Sequence, residues 1–167
     1  KYSLAQFEAQ YVEELASKII LKESKTGGSK YYVQCLKRNR DILLTPEEIV
    51  RQLFLMKLIK HYEYPLSRIS VEHALQIVIT DTKRADIVIF DKDRPTIPYI
   101  IIELKHPKLL DGKEQLKSYC HATGSPMGVL SNCSQISYYH RIDHNYLEYI
   151  NDIPNVAQTL AQIKNEF

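Results

Sequence analysis

The run IPYIIIELKHPK ends its apolar stretch on Glu103 and Lys105, a carboxylate and an ammonium two positions apart. Burying an ion pair is expensive and seldom stabilises a core. The strand is therefore either leaving the core here or holding charge for a purpose. A second apolar run, ADIVIF, carries Asp86 as its second residue. If the two runs form an antiparallel hairpin with residues 91–98 as its loop, Phe90 faces Tyr99 and Asp86 falls opposite Glu103. Directly opposed residues have Cβ atoms about 5 Å apart, close enough for two carboxylates to share one divalent cation. Alternation along the strand puts Lys105 on the face of Glu103 and turns Leu104 into the core. Like charges set opposite each other destabilise a sheet unless something compensates. Mg²⁺ would do so, because it prefers hard oxygen ligands and keeps water positions open. Lys105 alone would also do so, without a metal. The chemistry such a set could perform is phosphodiester hydrolysis. A metal lowers the pKa of its bound water and neutralises phosphoryl oxygens, and an ammonium stabilises charge where it develops.

The elements that must position these groups can be read from periodicity. SLAQFEAQYVEELASKII carries Leu4, Phe7, Tyr11, Leu15 and Ile19 at helical spacing. KESKTGGSK reads as a loop, followed by the strands YYVQCL and DILLT around the basic turn KRNR. TPEEIVRQLFLMKLIKHY is the clearest helix. Thr45 suits the N-cap, Pro46 the first turn, and Glu47 and Glu48 the positive end of the dipole. Ile49, Leu53, Met56 and Ile59 continue its apolar stripe. RISVEHALQIVI, ADIVIF and PYIIIEL follow as strands, and the prolines of DKDRPTIP keep that loop out of the sheet. DGKEQLKSYCHAT reads as a helix with Leu116, Tyr119, Cys120 and Thr123 inward. MGVLS and QISYYHR are strands across the turn NCS, and the tail ends in a short helix. The fold class expected is α/β, a mixed central sheet flanked by helices.

Composition narrows the setting. A length of 167 residues suits one domain. An opening on Lys1 rather than methionine leads us to expect a fragment of a longer polypeptide. Net charge is only +2, so any nucleic-acid surface must be local. No apolar run has membrane-spanning length and no signal-peptide pattern is present, so a cytoplasmic chain is expected. Cys35, Cys120 and Cys133 form neither a disulfide framework nor a zinc knuckle. Gly27-Gly28-Ser29-Lys30 lacks the spacing of a nucleotide phosphate loop, so no ATP site is expected here.

ADIVIF…IIIELK resembles the PD-(D/E)xK nuclease signature, with Ala85 where proline gives the motif its name. The wider series TPEEIVRQ, YPLSRISVE, KRADIVIFD, IIELKHP and QLKSY is similar to the N-terminal nuclease domain of the R (motor) subunit of type I restriction enzymes. The likeness covers roughly residues 31–142. It divides the chain into an N-terminal helix and loop (1–30), a nuclease core of restriction-endonuclease-like fold (31–142) and a C-terminal extension (143–167). The resemblance implies an Mg²⁺-dependent endonuclease acting on double-stranded DNA, working with the modification and specificity subunits of a restriction complex. ATP would serve only a motor portion outside these residues. It further implies that Asp86, Glu103 and the backbone carbonyl of Leu104 hold Mg²⁺, and that Lys105 orients or activates the attacking water. Glu48 would stand near the metal through water, with Gln115 and Tyr119 as accessory residues of a Q-x-x-x-Y motif.

Each of these residues also has a plainer explanation. Glu48, three after Thr45, has capping-box spacing. Gln115 and Tyr119 lie one turn apart on one helical face, where tyrosine is usually core. Lys83, Arg84, Lys108, Lys113 and Lys117 could line a phosphate groove, but exposed charge runs are more often solvated surface. His140 and His144 have ligand-like spacing without a third partner. The rival functions are a non-catalytic DNA-binding or assembly module of the same fold, and a stand-alone nuclease acting on branched or damaged DNA.

Overall fold

The computed structural model describes residues 4, 6–78, 81–105, 112–131, 135–143 and 146–164. Lys108, Cys133 and His144, singled out above, lie outside the described residues. Chain order is α1 (Ala9–Ser17), β1 (Ile20–Glu23), β2 (Ser29–Gln34), β3 (Asp41–Leu43), α2 (Pro46–Lys60), a 3₁₀ turn (Leu66–Arg68), β4 (Ile69–Val78), β5 (Asp81–Phe90), β6 (Pro98–Leu104), α3 (Lys113–Thr123), β7 (Met127–Ser131), β8 (Ile136–Asp143), β9 (Tyr146–Ile150) and α4 (Leu160–Lys164). Among the described residues β1–β2–β3 form one antiparallel sheet, and β4 to β9 form a second in sequence order.

Two of these strands depart from the sequence reading. Ile19 and Ile20 look like the end of the first helix, yet the helix stops at Ser17 and Ile20 pairs with Tyr32. β-branched residues favour strands, and Gly27 and Gly28, with φ of 96° and 75°, turn the chain back towards β2. All four β1 residues are exposed, so no burial pattern announces the strand. The same two glycines belong to a hairpin turn, in keeping with the missing phosphate-loop spacing. β9 escaped notice because only Leu147 in it is buried.

The Thr45 hydroxyl accepts from the Glu48 amide at 3.2 Å and starts α2 as expected. A single apolar stripe was expected beyond it. Instead Val50, Leu53, Phe54, Leu55, Met56 and Leu58 are all buried, with Arg51 and Gln52 among them. The helix lies between two apolar layers. Phe7, Tyr11, Leu15 and Val33 belong to its core on one side, and Ile87, Ile89, Ile100, Ile102 and Leu104 of the large sheet on the other. A helix covered on most of its circumference needs no polar face.

β6 is the heart of the large sheet. Ile100, Ile101 and Ile102 are fully buried because both faces are covered, Ile101 by the second core with Leu116, Tyr119 and Cys120 of α3. β6 runs parallel to β7, and α3 makes the crossover between them. Gly128 lets α3 settle, since a Cβ there would come within 2.9 Å of Leu116. The expected hairpin register holds at Ile87↔Ile102, Val88↔Ile101 and Ile89↔Ile100. It slips by one at the loop end, where Phe90 pairs with Pro98 and not Tyr99. Pro98 therefore begins β6, a position where its missing N–H costs little, and an Asp91 N–H to Ile97 carbonyl bond at 2.8 Å closes the loop.

Candidate active site

Asp86 sits where both of its neighbouring ladders are interrupted. On the β4 side the pairs are Val71↔Ile87 and His73↔Ala85, and Glu72 between them has φ 51°. A glutamate in the left-handed region is uncommon and marks strain held by its surroundings. On the β6 side the ladder stops at Ile87↔Ile102. Beyond it the strands are joined by side chains: the Asp86 amide donates to Glu103 Oε1 at 3.3 Å, and the Leu104 amide donates to Asp86 Oδ2 at 2.8 Å. Asp86 and Glu103 are thus adjacent, through reciprocal hydrogen bonds and not a regular bridge. Leu104 points into the core, as alternation requires.

Lys105 Nζ lies 3.5 Å from Glu103 Oε2 and donates to Gln115 Oε1. Gln115 Nε2 in turn donates to the Tyr119 hydroxyl at 2.5 Å. Gln115 and Tyr119 therefore hold the ammonium from α3, one helical turn apart. The close approach depends on Gly112, where a Cβ would lie 2.7 Å from Leu130 Cδ1 and 3.1 Å from Lys105 Cγ.

Glu48 does not complete a capping box. Its carboxylate accepts from Arg38 Nη2 at 2.7 and 2.8 Å and from Arg51 Nη1, while the Thr45 amide donates to the Leu43 carbonyl. Arg51 Nη2 also donates to Glu47 Oε1 and Asp86 Oδ1, each at 2.9 Å. One guanidinium consequently links Glu48 to Asp86. Arg38 and Arg51 lie 3.5 and 3.9 Å from the Glu72 carboxylate. Arg38, Arg51, Glu47 and Glu72 were not singled out as site residues. Glu47 and Arg51 stand at i and i+4 on α2, but their convergence on Asp86 comes from packing that helix on the sheet.

The joined groups comprise five carboxylates (Glu47, Glu48, Glu72, Asp86, Glu103) and three cations (Arg38, Arg51, Lys105), a formal deficit of two positive charges. Its effect is visible on Glu103, which is 2% exposed. Burial first, then the charge of Asp86, push its carboxyl up to about 8 against the opposing pull of Lys105. Partial desolvation and the same Asp86 charge also raise Glu47.

A pH dependence follows from Glu103. Between the ordinary value of 4.5 and about 8 the metal-free folded chain holds a proton that the unfolded chain has released. Stability of the metal-free protein therefore falls as pH rises through that window. Glu103→Gln, close in shape and uncharged, is expected to flatten the slope and raise Tm at the alkaline end. Thermal melts in chelator over about pH 5 to 9 would show it, and an unchanged slope would assign the proton to another group.

The remaining candidates divide. Lys83 and Arg84 are exposed on β5. Lys113 Nζ lies over the Tyr139 and Tyr149 rings at 5.2 and 4.9 Å, and Lys117 pairs with Glu114 at 2.8 Å. His140 is engaged by Glu148 and Lys164. Among the described residues no three His, Cys, Asp or Glu side chains converge as metal ligands. The adjacent carboxylates of Asp86 and Glu103, in a cluster with a deficit of two charges, have the hard oxygen chemistry that suits a cation such as Mg²⁺.

A six-stranded mixed sheet, with α2 and α3 on opposite faces and acids on two adjoining central strands, is consistent with the restriction-endonuclease-like class. Residues 46–154, more than half of the chain, match the family described as type I restriction enzyme R protein N terminus, and the chain belongs to that family. The match begins at α2 and includes Asp86, Glu103, Lys105, Gln115 and Tyr119; α1 and the three-stranded sheet precede it. No curated protein matches the sequence. Among the described residues no helix is long and apolar enough to cross a membrane.

Proposed function

We propose that this chain is the DNA-cleaving module of a type I restriction enzyme R subunit, hydrolysing phosphodiester bonds of double-stranded DNA with Mg²⁺. The observation that carries the reading is the convergence of Asp86, Glu103 and Lys105 at one end of β5 and β6 within a cluster short of two positive charges. Asp86, Glu103 and the Leu104 carbonyl would hold the cation. When bound, it would supply an activated water and neutralise phosphoryl oxygens.

The protein groups have separable tasks. Lys105, held by Glu103 and Gln115, presents an ammonium to the attacking water and to charge developing on the phosphate. Gln115 and Tyr119 keep it in one orientation, which limits the reorganisation needed during reaction. Arg38 and Arg51 hold Glu48 beside the site. Lys83, Arg84 and Lys113 are offered as contacts to the DNA backbone. In this family setting the modification and specificity subunits would choose the sequence, and ATP would serve the motor.

The test is cleavage by the restriction complex assembled around this domain. Supercoiled plasmid should be cut in Mg²⁺ and remain intact in chelator. A complex that binds the plasmid and never cuts it would overturn the reading in favour of a non-catalytic DNA-binding module.

A further inference from the structure

Arg51 occupies an unusual position for an arginine. Its side chain is 4% exposed, yet it faces Glu47, Glu48 and Asp86 with Glu72 beyond. Both Nη atoms are committed to carboxylates, while Nε is buried with no hydrogen-bond partner. A guanidinium built only to fasten helix to sheet would be expected to satisfy all its N–H groups, because an unpaired buried donor is costly. Here the hydrogen bonds are all on the acid side. Asp86, meanwhile, divides its two oxygens: Oδ2 accepts from the Leu104 amide, and Oδ1 accepts from Arg51.

We propose that Arg51 stands in for the divalent cation in the metal-free protein and releases Asp86 Oδ1 when the cation binds. This inference rests on the metal reading above and goes beyond it by giving Arg51 a role in setting cation affinity. In the metal-free state the guanidinium keeps Glu47, Glu48 and Asp86 from repelling one another. On loading, Glu47 and Glu48 remain its partners and Asp86 changes hands. Arg38, with its own bonds to Glu48, keeps that carboxylate in place throughout. Arg51 is therefore a positioning residue whose charge competes with the metal.

The competition has a sign. Removing one positive charge next to a cation site tightens cation binding, and at an effective dielectric constant near 20 a unit charge a few ångströms away is worth at least about ten-fold. Calorimetric titration with Mn²⁺ should give Arg51→Gln at least ~10-fold tighter binding than the unaltered chain, and Arg51→Lys should stay within about three-fold. Without metal Arg51→Gln should melt below the unaltered chain, and saturating Mn²⁺ should restore most of the difference. Arg94→Gln, which removes an exposed charge in the β5–β6 loop, should leave affinity unchanged.

The outcomes separate. Equal or weaker Mn²⁺ binding by Arg51→Gln overturns the inference and leaves the metal reading standing. Equal tightening by Arg94→Gln does the same, since the effect would then be one of bulk charge. An Arg51→Gln chain that stays unfolded at saturating Mn²⁺ shows that the guanidinium holds the fold in a way no cation replaces, and also overturns it. Absence of Mn²⁺ binding by the unaltered chain defeats the metal reading and this inference together.

Discussion

Lys105→Ala is expected to lower Mg²⁺-dependent plasmid cleavage by about 10²–10³-fold, the usual loss when one charge-stabilising donor is removed from an active site. The effect should fall on the chemical step. Lys105 reaches Glu103 at 3.5 Å and is tethered to α3 through Gln115, so its ammonium sits beside the proposed ligands and not among them. Removing a positive charge there cannot weaken cation binding electrostatically. Mn²⁺ affinity should hold or rise while cleavage collapses. The fold should survive, because the strand is anchored by the buried Ile100–Leu104 segment and by the Lys105 amide, which donates to the Ser131 carbonyl at 2.7 Å whatever its side chain. Cleavage and Mn²⁺ titration on the same preparation decide the matter. Undiminished cutting by Lys105→Ala would remove the mechanism proposed for the lysine.

Asp86→Asn separates charge from architecture at the other corner of the site. Asparagine retains an acceptor for the Leu104 amide, now met at 2.8 Å by Asp86 Oδ2, so the strand end should keep its form. The carboxylate is lost. Mn²⁺ affinity should fall by at least ~100-fold, since even outer-shell changes at metal sites cost 10–100-fold. A second consequence follows from the same geometry. Arg51 loses its nearer anionic partner on the sheet, and Glu103 loses the neighbouring charge that, after burial, does most to raise it. The alkaline loss of metal-free stability should therefore be smaller, and be complete at a lower pH, than in the unaltered chain. An unchanged Mn²⁺ isotherm would mean that the cation, if bound, sits elsewhere.

Much of this was legible in the residues alone, for a local reason. A two-strand hairpin has a short loop and a period of two, so placing ADIVIF against PYIIIEL brings Asp86 beside Glu103 and puts Lys105 on the same side. The one-residue slip at Phe90↔Pro98 did no damage, because the bulge lies at the loop end and the three pairs nearest the site keep the expected register. Gln115 and Tyr119 were likewise placed together by the helical repeat. What went unread was long-range. β1 carries no buried residue, and β9 only one, so neither has the alternation that announces a strand. Nothing in the period of α2 said that it would be covered on two sides.

The charge network shows the division most clearly. Glu48 has the spacing of a capping box, and local rules alone send its carboxylate back to the helix start. Tertiary packing offers Arg38 and Arg51, whose ion-paired hydrogen bonds to a carboxylate 7% exposed outweigh a single bond from the uncharged N-cap amide. By itself the sequence determined the mixed α/β order and the neighbourhood of Asp86, Glu103 and Lys105 on β5 and β6, because those follow from periodicity, caps and strand alternation, while the family was carried by the resemblance of its motif blocks. Only the tertiary structure decided that Arg51 bridges Glu48 to Asp86, that Glu72 is held left-handed opposite a broken ladder, and that burial and the Asp86 charge raise the Glu103 carboxyl. Each depends on how far water is excluded when α2 closes on the sheet, and no local pattern encodes that distance.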